Sequence, residues 1–422
     1  WLAQEFIKLF RLQPNFKARD FRRQIKYSIG CTISMKAAYR AMSRALEIIS
    51  GSDDDQYNYM WRYCDQLRLS NPGSTVILKL QDDGPNKRFQ RFYCCFSAIK
   101  HGFKVGCRPL FGIDGCFLKG KYEGQIVAAV GMDANNNIYP IAYGLVEREN
   151  QETWEWFLDL LKSDLDLEGT HVRNCVCISD RQKGLVPAVQ HILPAIQVRH
   201  CCRHIYANIK GAGHKSMELK QLFWKAAQCS REEDFNTVME KIKNQYPAAH
   251  SYLKKIDSTT WTRAFFSENS RCDILLNNIC ESFNHMIGEC RDMPILCLLG
   301  YLQIVLTVRI QQNNEKSAKW NSRLCPRIMR LLVKLSDEGN KGTCIPSDET
   351  QFTWVGSNEQ HLVDLRRRDC SCRRWALTGI PCKHACACIN YIEANIENFV
   401  EEWYTVAVYR LCYSKVLSAV IL

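Results

Sequence analysis

Apolar residues recur at helical spacing over the first seventy positions. They change to short β-like runs near residue 108, and this switch of period is the first division in the chain. Leu2, Phe6 and Phe10 share one helical face. After Pro14-Asn15, Phe21 and Ile25 begin a second face, Gly30 interrupts it, and Ser34 is placed to cap a third helix running towards Ile49. Along that helix Lys36, Arg40 and Arg44 recur every fourth residue as one basic stripe. Two helices about a short turn with such a stripe outline a helix-turn-helix that meets DNA phosphate. A solvated face on a core-packed helix fits the same spacing equally well. A further helical pattern through Tyr57, Trp61, Cys64 and Leu67 closes at Asn71-Pro-Gly-Ser74, and a β run follows from Thr75 to Leu80.

Beyond Arg108 the pattern is that of strands. A short apolar run from Leu110 to Ile113 ends at Asp114. Runs from Gln125 to Met132 and from Ile138 to Val146 are joined by Asp133-Ala-Asn-Asn-Asn137, a hairpin connection. A helix with Trp154, Phe157, Leu158 and Leu161 on one face leads to the buried run Asn174 to Ile178, which delivers Asp180. A helix over 183–192 and a strand over 196–201 continue the alternation. The sum is an α/β fold in which a three-stranded antiparallel meander feeds parallel strands. Asp114 and Asp180 then end adjacent strands at one sheet edge, although aspartate at a strand end is also a common cap or turn residue. Residues 215–275 read as helices, and the apolar stretch from Pro294 to Val308 is too short to span a bilayer, which predicts a buried helix and no membrane partner.

Charge and cysteine content sharpen this picture. Lys and Arg number 56 against 44 Asp and Glu, a net charge of +12, which favours polyanionic partners such as nucleic acid. The 23 cysteines are spread through apolar runs such as Cys175-Val-Cys177-Ile178, as buried thiols and metal ligands of a reducing compartment would be. The N-terminus carries charge at once and shows no signal peptide, and the first residue is Trp1, so a fragment of a longer chain is expected. Cys370-Ser-Cys372 and Cys382-Lys-His384, separated by a turn at Gly379-Ile-Pro381, supply three thiolates and one imidazole. That set closes a tetrahedral Zn²⁺ shell with no position left for water, so the metal is structural.

The spacing Cys-x-Cys…Cys-x-His resembles the SWIM zinc finger, which commonly follows the catalytic domain of plant Mutator-like transposases. Asp114-Gly-Cys-Phe-Leu-Lys119, Ile178-Ser-Asp180-Arg-Gln-Lys-Gly184 and Asn278-Ile-Cys-Glu281-Ser-Phe-Asn284 are similar to the three acidic motifs of that family, in order and separation. The resemblance implies an RNase H-like (DDE transposase) core. Asp114, Asp180 and Glu281 would be its catalytic carboxylates and would hold Mg²⁺ or Mn²⁺ for DNA cleavage and strand transfer. Arg199-His-Cys201-Cys-Arg-His204 matches the family's Cys-x-x-His signature. Cys201 and His204 would form an accessory site that binds a metal, orients DNA or only packs, and two ligands are too few to close a zinc shell.

The implied organisation is a helical DNA-binding region over 1–73 and a transposase domain over 74–310 with a helical insertion at about 212–275. A helical connector over 311–350, a SWIM finger over 351–395 and a helical tail over 396–422 complete it. DNA is the expected partner, with a second copy of the chain as a candidate one, and the nucleus the expected location. The upstream Cys/His-rich module of many relatives lies outside these residues. A domesticated regulator that binds DNA without cutting it fits the same residues.

Overall fold

In the computed structural model, residues 1–420 are described apart from 13–17, 52, 85, 121–122, 169–173 and 289. The break expected at Pro14-Asn15 therefore lies outside the described residues. A seven-stranded mixed sheet runs through the chain in the order β1 (Thr75–Asp83), β2 (Asn86–Cys95), β5 (Ile138–Val146), β4 (Gln125–Met132), β3 (Leu110–Phe117), β6 (Val176–Ser179) and β7 (Gln197–His200). Strands β3, β4 and β5 form an antiparallel meander, while β6 joins β3 in parallel and β7 joins β6 in parallel. β4 is buried along its whole length, as its unbroken apolar run requires of a strand covered on both faces.

Two elements depart from the sequence reading. The β run read as Thr75 to Leu80 is one arm of a hairpin, and its partner β2 attaches the pair to β5. Lys87, Arg88 and Arg91 disguised β2 as a polar segment. Arg91 is buried and paired with Glu147 and Glu152. Asp114 lies within β3, which continues to Phe117, and does not end it.

The helices divide between several cores. Phe10, Phe21, Ile25, Ala38 and Ala45 close a small N-terminal core of their own, and Ser34 caps the Met35–Ser50 helix by accepting the Ala37 N–H at 3.1 Å. The Asp53–Ser70 helix instead buries Met60, Tyr63, Cys64 and Leu67 in the core of the large sheet, so its packing belongs with the α/β body and not with residues 1–50. Residues 202–275 form a helical unit with a separate core around Phe223 and Trp261, whose rings stack at 5.6 Å. The Ile295–Ala318 helix is long and apolar enough to cross a membrane, yet Leu298, Leu299, Leu302 and Leu306 are buried in the main core, where the helix packs on the Asp53–Ser70 and Val406–Cys412 helices. A second sheet, in the order β11 (Asp369–Cys370), β10 (Gln360–Asp364), β9 (Gln351–Val355) and β8 (Thr343–Pro346), carries the C-terminal Cys/His segment.

The last described stretch returns to the large sheet. The Tyr413 hydroxyl donates to buried Asp133 at 2.8 Å, and Asn71 exchanges two side-chain hydrogen bonds with the Ser418 backbone. Cys412 lies so close to the Ser97–Gly106 helix that a Cβ at Gly102 or Gly106 would meet it within 3 Å.

Gly112 of β3 serves the site directly, because a Cβ there would fall 2.3 Å from Asn277 Oδ1 and 2.9 Å from Cys280 Sγ. The Asn278–Met286 helix can lie on β3 only where that side chain is missing. Gly112→Ala should therefore destabilise the fold by about 1–3 kcal/mol, the usual range for overpacking. Urea unfolding checks this, and an unchanged midpoint would show that the helix has room to retreat.

Candidate functional site

The two aspartates are brought together by strand register. In the parallel β3–β6 pair, Leu110 is opposite Val176 and Gly112 opposite Ile178. Two residues further on, the same register sets Asp114 beside Asp180, at the carboxyl end of β6. Burial, followed by the neighbouring carboxylates of Asp180 and Glu149, pushes the Asp114 carboxyl up to about 7. Glu149 is raised in its turn by burial and by Asp180, while it accepts a hydrogen bond from Trp154 Nε1 at 3.2 Å. Glu149 follows β5 and precedes Asn150, which caps the Gln151–Leu165 helix through a reciprocal pair with Thr153. Gly115 makes room for it, since a Cβ there would meet Glu149 Oε2 at 2.8 Å.

Glu149 is the acidic group that the sequence reading missed. Its signal was weak: an acid between a strand end and a helix cap, within the charged run Glu147-Arg148-Glu149.

Glu281 reaches the neighbourhood by a different route. Asn277 Nδ2 donates to the Ile113 carbonyl at 3.0 Å and Asn284 Nδ2 to Asp114 Oδ2 at 2.9 Å, which pins the Asn278–Met286 helix across β3. Glu281 is four residues after one asparagine and three before the other, so it shares their helical face. Its carboxylate is held by Arg203 in an ion pair, and Arg203 also reaches Asn278 Oδ1 at 3.2 Å. The charges facing Asp114 are thus those of Asp180, Glu149 and His204.

Cys201 and His204 lie at the same edge. Cys201 is fully buried at the start of the Cys202–Gly211 helix, and its sulfur accepts the Asn277 N–H at 3.4 Å. His204 Nδ1 makes no well-aligned hydrogen bond, but the Cys201 sulfur beside it, then Asp180 and Asp114, favour the charged ring over the cost of burial. Burial opposes ionisation of the Cys201 thiol, and the His204 contact outweighs it, leaving the thiol below its usual range. The pair places an imidazole whose charged form is favoured beside clustered carboxylates.

Lys36, Arg40 and Arg44 are exposed along the Met35–Ser50 helix, and Arg44 is paired with Glu47. They form the stripe that the spacing describes and touch none of the acidic groups above.

The C-terminal cluster is tighter. Cys370, Cys372, Cys382 and His384 are all buried, with their ligand atoms within 4.8 Å of one another. His384 Nδ1 lies 3.5 Å from Cys370 Sγ and 3.7 Å from Cys382 Sγ. Bond lengths of about 2.3 Å to sulfur and about 2.0–2.1 Å to nitrogen give a tetrahedral edge of about 3.6 Å. The donor set and its spacing therefore suit Zn²⁺.

The other ring nitrogen of His384 is a buried polar atom with no hydrogen bond. It faces Glu359 Oε2 at 3.7 Å, and the His361 ring stacks on His384 at 4.1 Å. Glu359 is a second residue that the Cys/His pattern did not reveal, because it acts from eleven residues before the first cysteine pair.

Residues 110–208 match the MULE transposase domain, and residues 354–393 match the SWIM zinc finger. Protein FAR1-related sequence 6 of Arabidopsis thaliana is 23% identical over 238 residues, which cover 54% of this chain and 30% of that protein. The chain thus matches less than a third of the relative's length. The first match contains Asp114, Glu149, Asp180, Cys201 and His204, and the second contains all four members of the Cys/His cluster. The chain thus carries a MULE transposase domain followed by a SWIM zinc finger, the pair of modules on which its resemblance to Mutator-like transposases rests.

Proposed function

We propose that the large sheet is an RNase H-like core acting on DNA in the nucleus, and that its carboxylate edge cuts a phosphodiester and joins the freed 3′ end to target DNA. The observation that carries this reading is the parallel register that sets Asp114 beside Asp180 next to an antiparallel meander. Carboxylate oxygens crowded at partly dehydrated positions suit a hard divalent cation. Asp114 and Asp180 would hold Mg²⁺ or Mn²⁺, with Glu281 or Glu149 as the third carboxylate. The bound ions would activate a water or 3′-hydroxyl and stabilise the leaving oxygen.

The chain's own groups prepare that edge. Asn284 fixes one Asp114 oxygen, Trp154 orients Glu149, and His204 offsets part of the negative charge. Cys370, Cys372, Cys382 and His384 would hold one structural Zn²⁺, with Glu359 placed to accept a hydrogen bond from the outer His384 N–H and so fix the ring. The ion pair between Arg203 and Glu281 favours a second reading, a DNA-binding protein that does not cut, because a carboxylate in an ion pair must be released before it can bind metal.

A cleavage and strand-transfer assay on DNA with candidate element ends, with Mg²⁺ or Mn²⁺, tests the first reading. Activity is expected in the wild type and a loss of at least about a hundredfold in Asp114→Asn, the scale for removing an electrostatic catalytic group. DNA binding without cleavage in either protein would establish the second reading instead.

Ionisation of Asp114 gives a separate check. Its carboxyl titrates near 3.8 when unfolded and about 7 when folded. Between these values the folded chain keeps a proton that the unfolded chain has lost, so stability falls as pH rises from about 4 to 7 and stays low above. Asp114→Asn should therefore be more stable than wild type at pH 8 by about 2–4 kcal/mol, and nearly equal to it at pH 4. Denaturant unfolding without added magnesium or manganese measures both, and equal stability at pH 8 would show that the carboxylate is well solvated.

For the finger, Cys382→Ser should lose zinc and unfold residues near the cluster. Glu359→Gln should keep the fold but weaken zinc binding by about 10–100-fold, as for other residues that orient a ligand. Competition with a chromogenic chelator reads both, and wild-type zinc affinity in Glu359→Gln would remove Glu359 from the site.

A further inference from the structure

Two adjacent arginines of the finger have opposite fates, and one of them joins it to the helical unit over 202–275. Arg373 follows the cluster residue Cys372 and has left-handed backbone geometry, φ 58°. Its guanidinium enters the helical unit, donating to the carbonyls of Ala264, Ser230 and Phe266 and facing Glu268 Oε1 at 3.4 Å. Leu377, four residues on, is fully buried in that unit's core. Arg374 turns the other way, into an open groove of about 490 Å³ whose opposite wall is the Met217–Gln228 helix.

That helix buries Leu219, Phe223, Ala226 and Ala227 and gives Lys220, Trp224 and Lys225 to the groove. Among the described residues none of Lys220, Lys225 and Arg374 is in an ion pair. Three cations outside any such pair around one concavity repel each other, and an anionic ligand relieves that repulsion. Trp224 and Met217, the latter 66% exposed, give the groove an apolar floor between the charges.

We propose that this groove binds the phosphate backbone of duplex DNA and is complete only while the finger is docked, so that the zinc cluster supports DNA binding from a distance by holding Arg374 in place. The proposal rests on the DNA-binding reading above and adds a site to it. A net charge of +12 and an open, shallow shape suit a long polyanion better than a peptide anchored by one side chain. Lysines meet phosphates as point charges, whereas the arginine fork offers two parallel donors to one phosphate.

Anisotropy of a labelled mixed-sequence duplex over a series of salt concentrations tests it. The slope of log affinity against log salt should become shallower by about 0.9 for each phosphate contact removed. Arg374→Ala should lose one such step, and the triple variant Lys220→Ala/Lys225→Ala/Arg374→Ala two or three. Arg373→Ala should weaken binding although its cation is not in the groove, with zinc content unchanged. Zinc content and melting midpoint, matched to wild type, certify that the triple variant is folded. An unaltered slope in that folded variant, while the wild type binds DNA, overturns this inference and leaves the proposed function standing. A wild type that binds no duplex overturns both, and poly-glutamate displacing the duplex at equal charge concentration overturns DNA as the occupant.

Discussion

The parallel pairing of β3 with β6 is the constraint on which the rest of the molecule depends. It crosses from the antiparallel meander to the parallel half of the sheet, and it brings together two carboxylates sixty-six positions apart in the sequence, Asp114 and Asp180. Like charges resist such an approach, so the surrounding structure has to enforce it. The side chain absent at Gly112 lets the Asn278–Met286 helix lie on β3, and Asn277 and Asn284 bond it there. The raised Asp114 carboxyl marks what that approach costs the fold.

Much of this architecture could be read from the chain because each part has a strong local signal. The apolar runs of β4 and β5, the asparagine-rich hairpin between them and the position of Asp180 after a buried run specify the meander and its parallel extension. The four residues of the Cys/His cluster were equally plain, since three thiolates and an imidazole at such short spacing suit a metal ion better than a hydrophobic core. β2 was missed because its buried arginine imitates a solvated charge, and burial depends on the distant partners Glu147 and Glu152. Glu149 and Glu359 were missed for a related reason. Each acts through a neighbour supplied by another element, and no spacing along the chain encodes that. The Arg203–Glu281 pair is likewise a product of tertiary contact, invisible in a motif that shows only the acid.

The division into modules is also a matter of contact more than of sequence. The finger has its own core around Trp354 and Trp375, yet Leu377 belongs to the neighbouring helical unit and Arg373 is consumed by its carbonyls. A metal-stabilised segment of this kind gains folding free energy from its ion, about 10–16 kcal/mol in small zinc peptides. Arg373 and Leu377 tie that segment to the helical unit.

The late segment that runs from Val406 to Ser418 lies against the first helices and strands of the large sheet, through Cys412, Tyr413 and the reciprocal bonds of Asn71 with Ser418. During synthesis the α/β body is exposed to the cell long before those residues leave the ribosome. Its meander can form early, but the surface beside Gly102 and Gly106 stays uncovered until the polypeptide has passed residue 418. The nascent chain therefore has a waiting period in which that surface is open to non-native contacts.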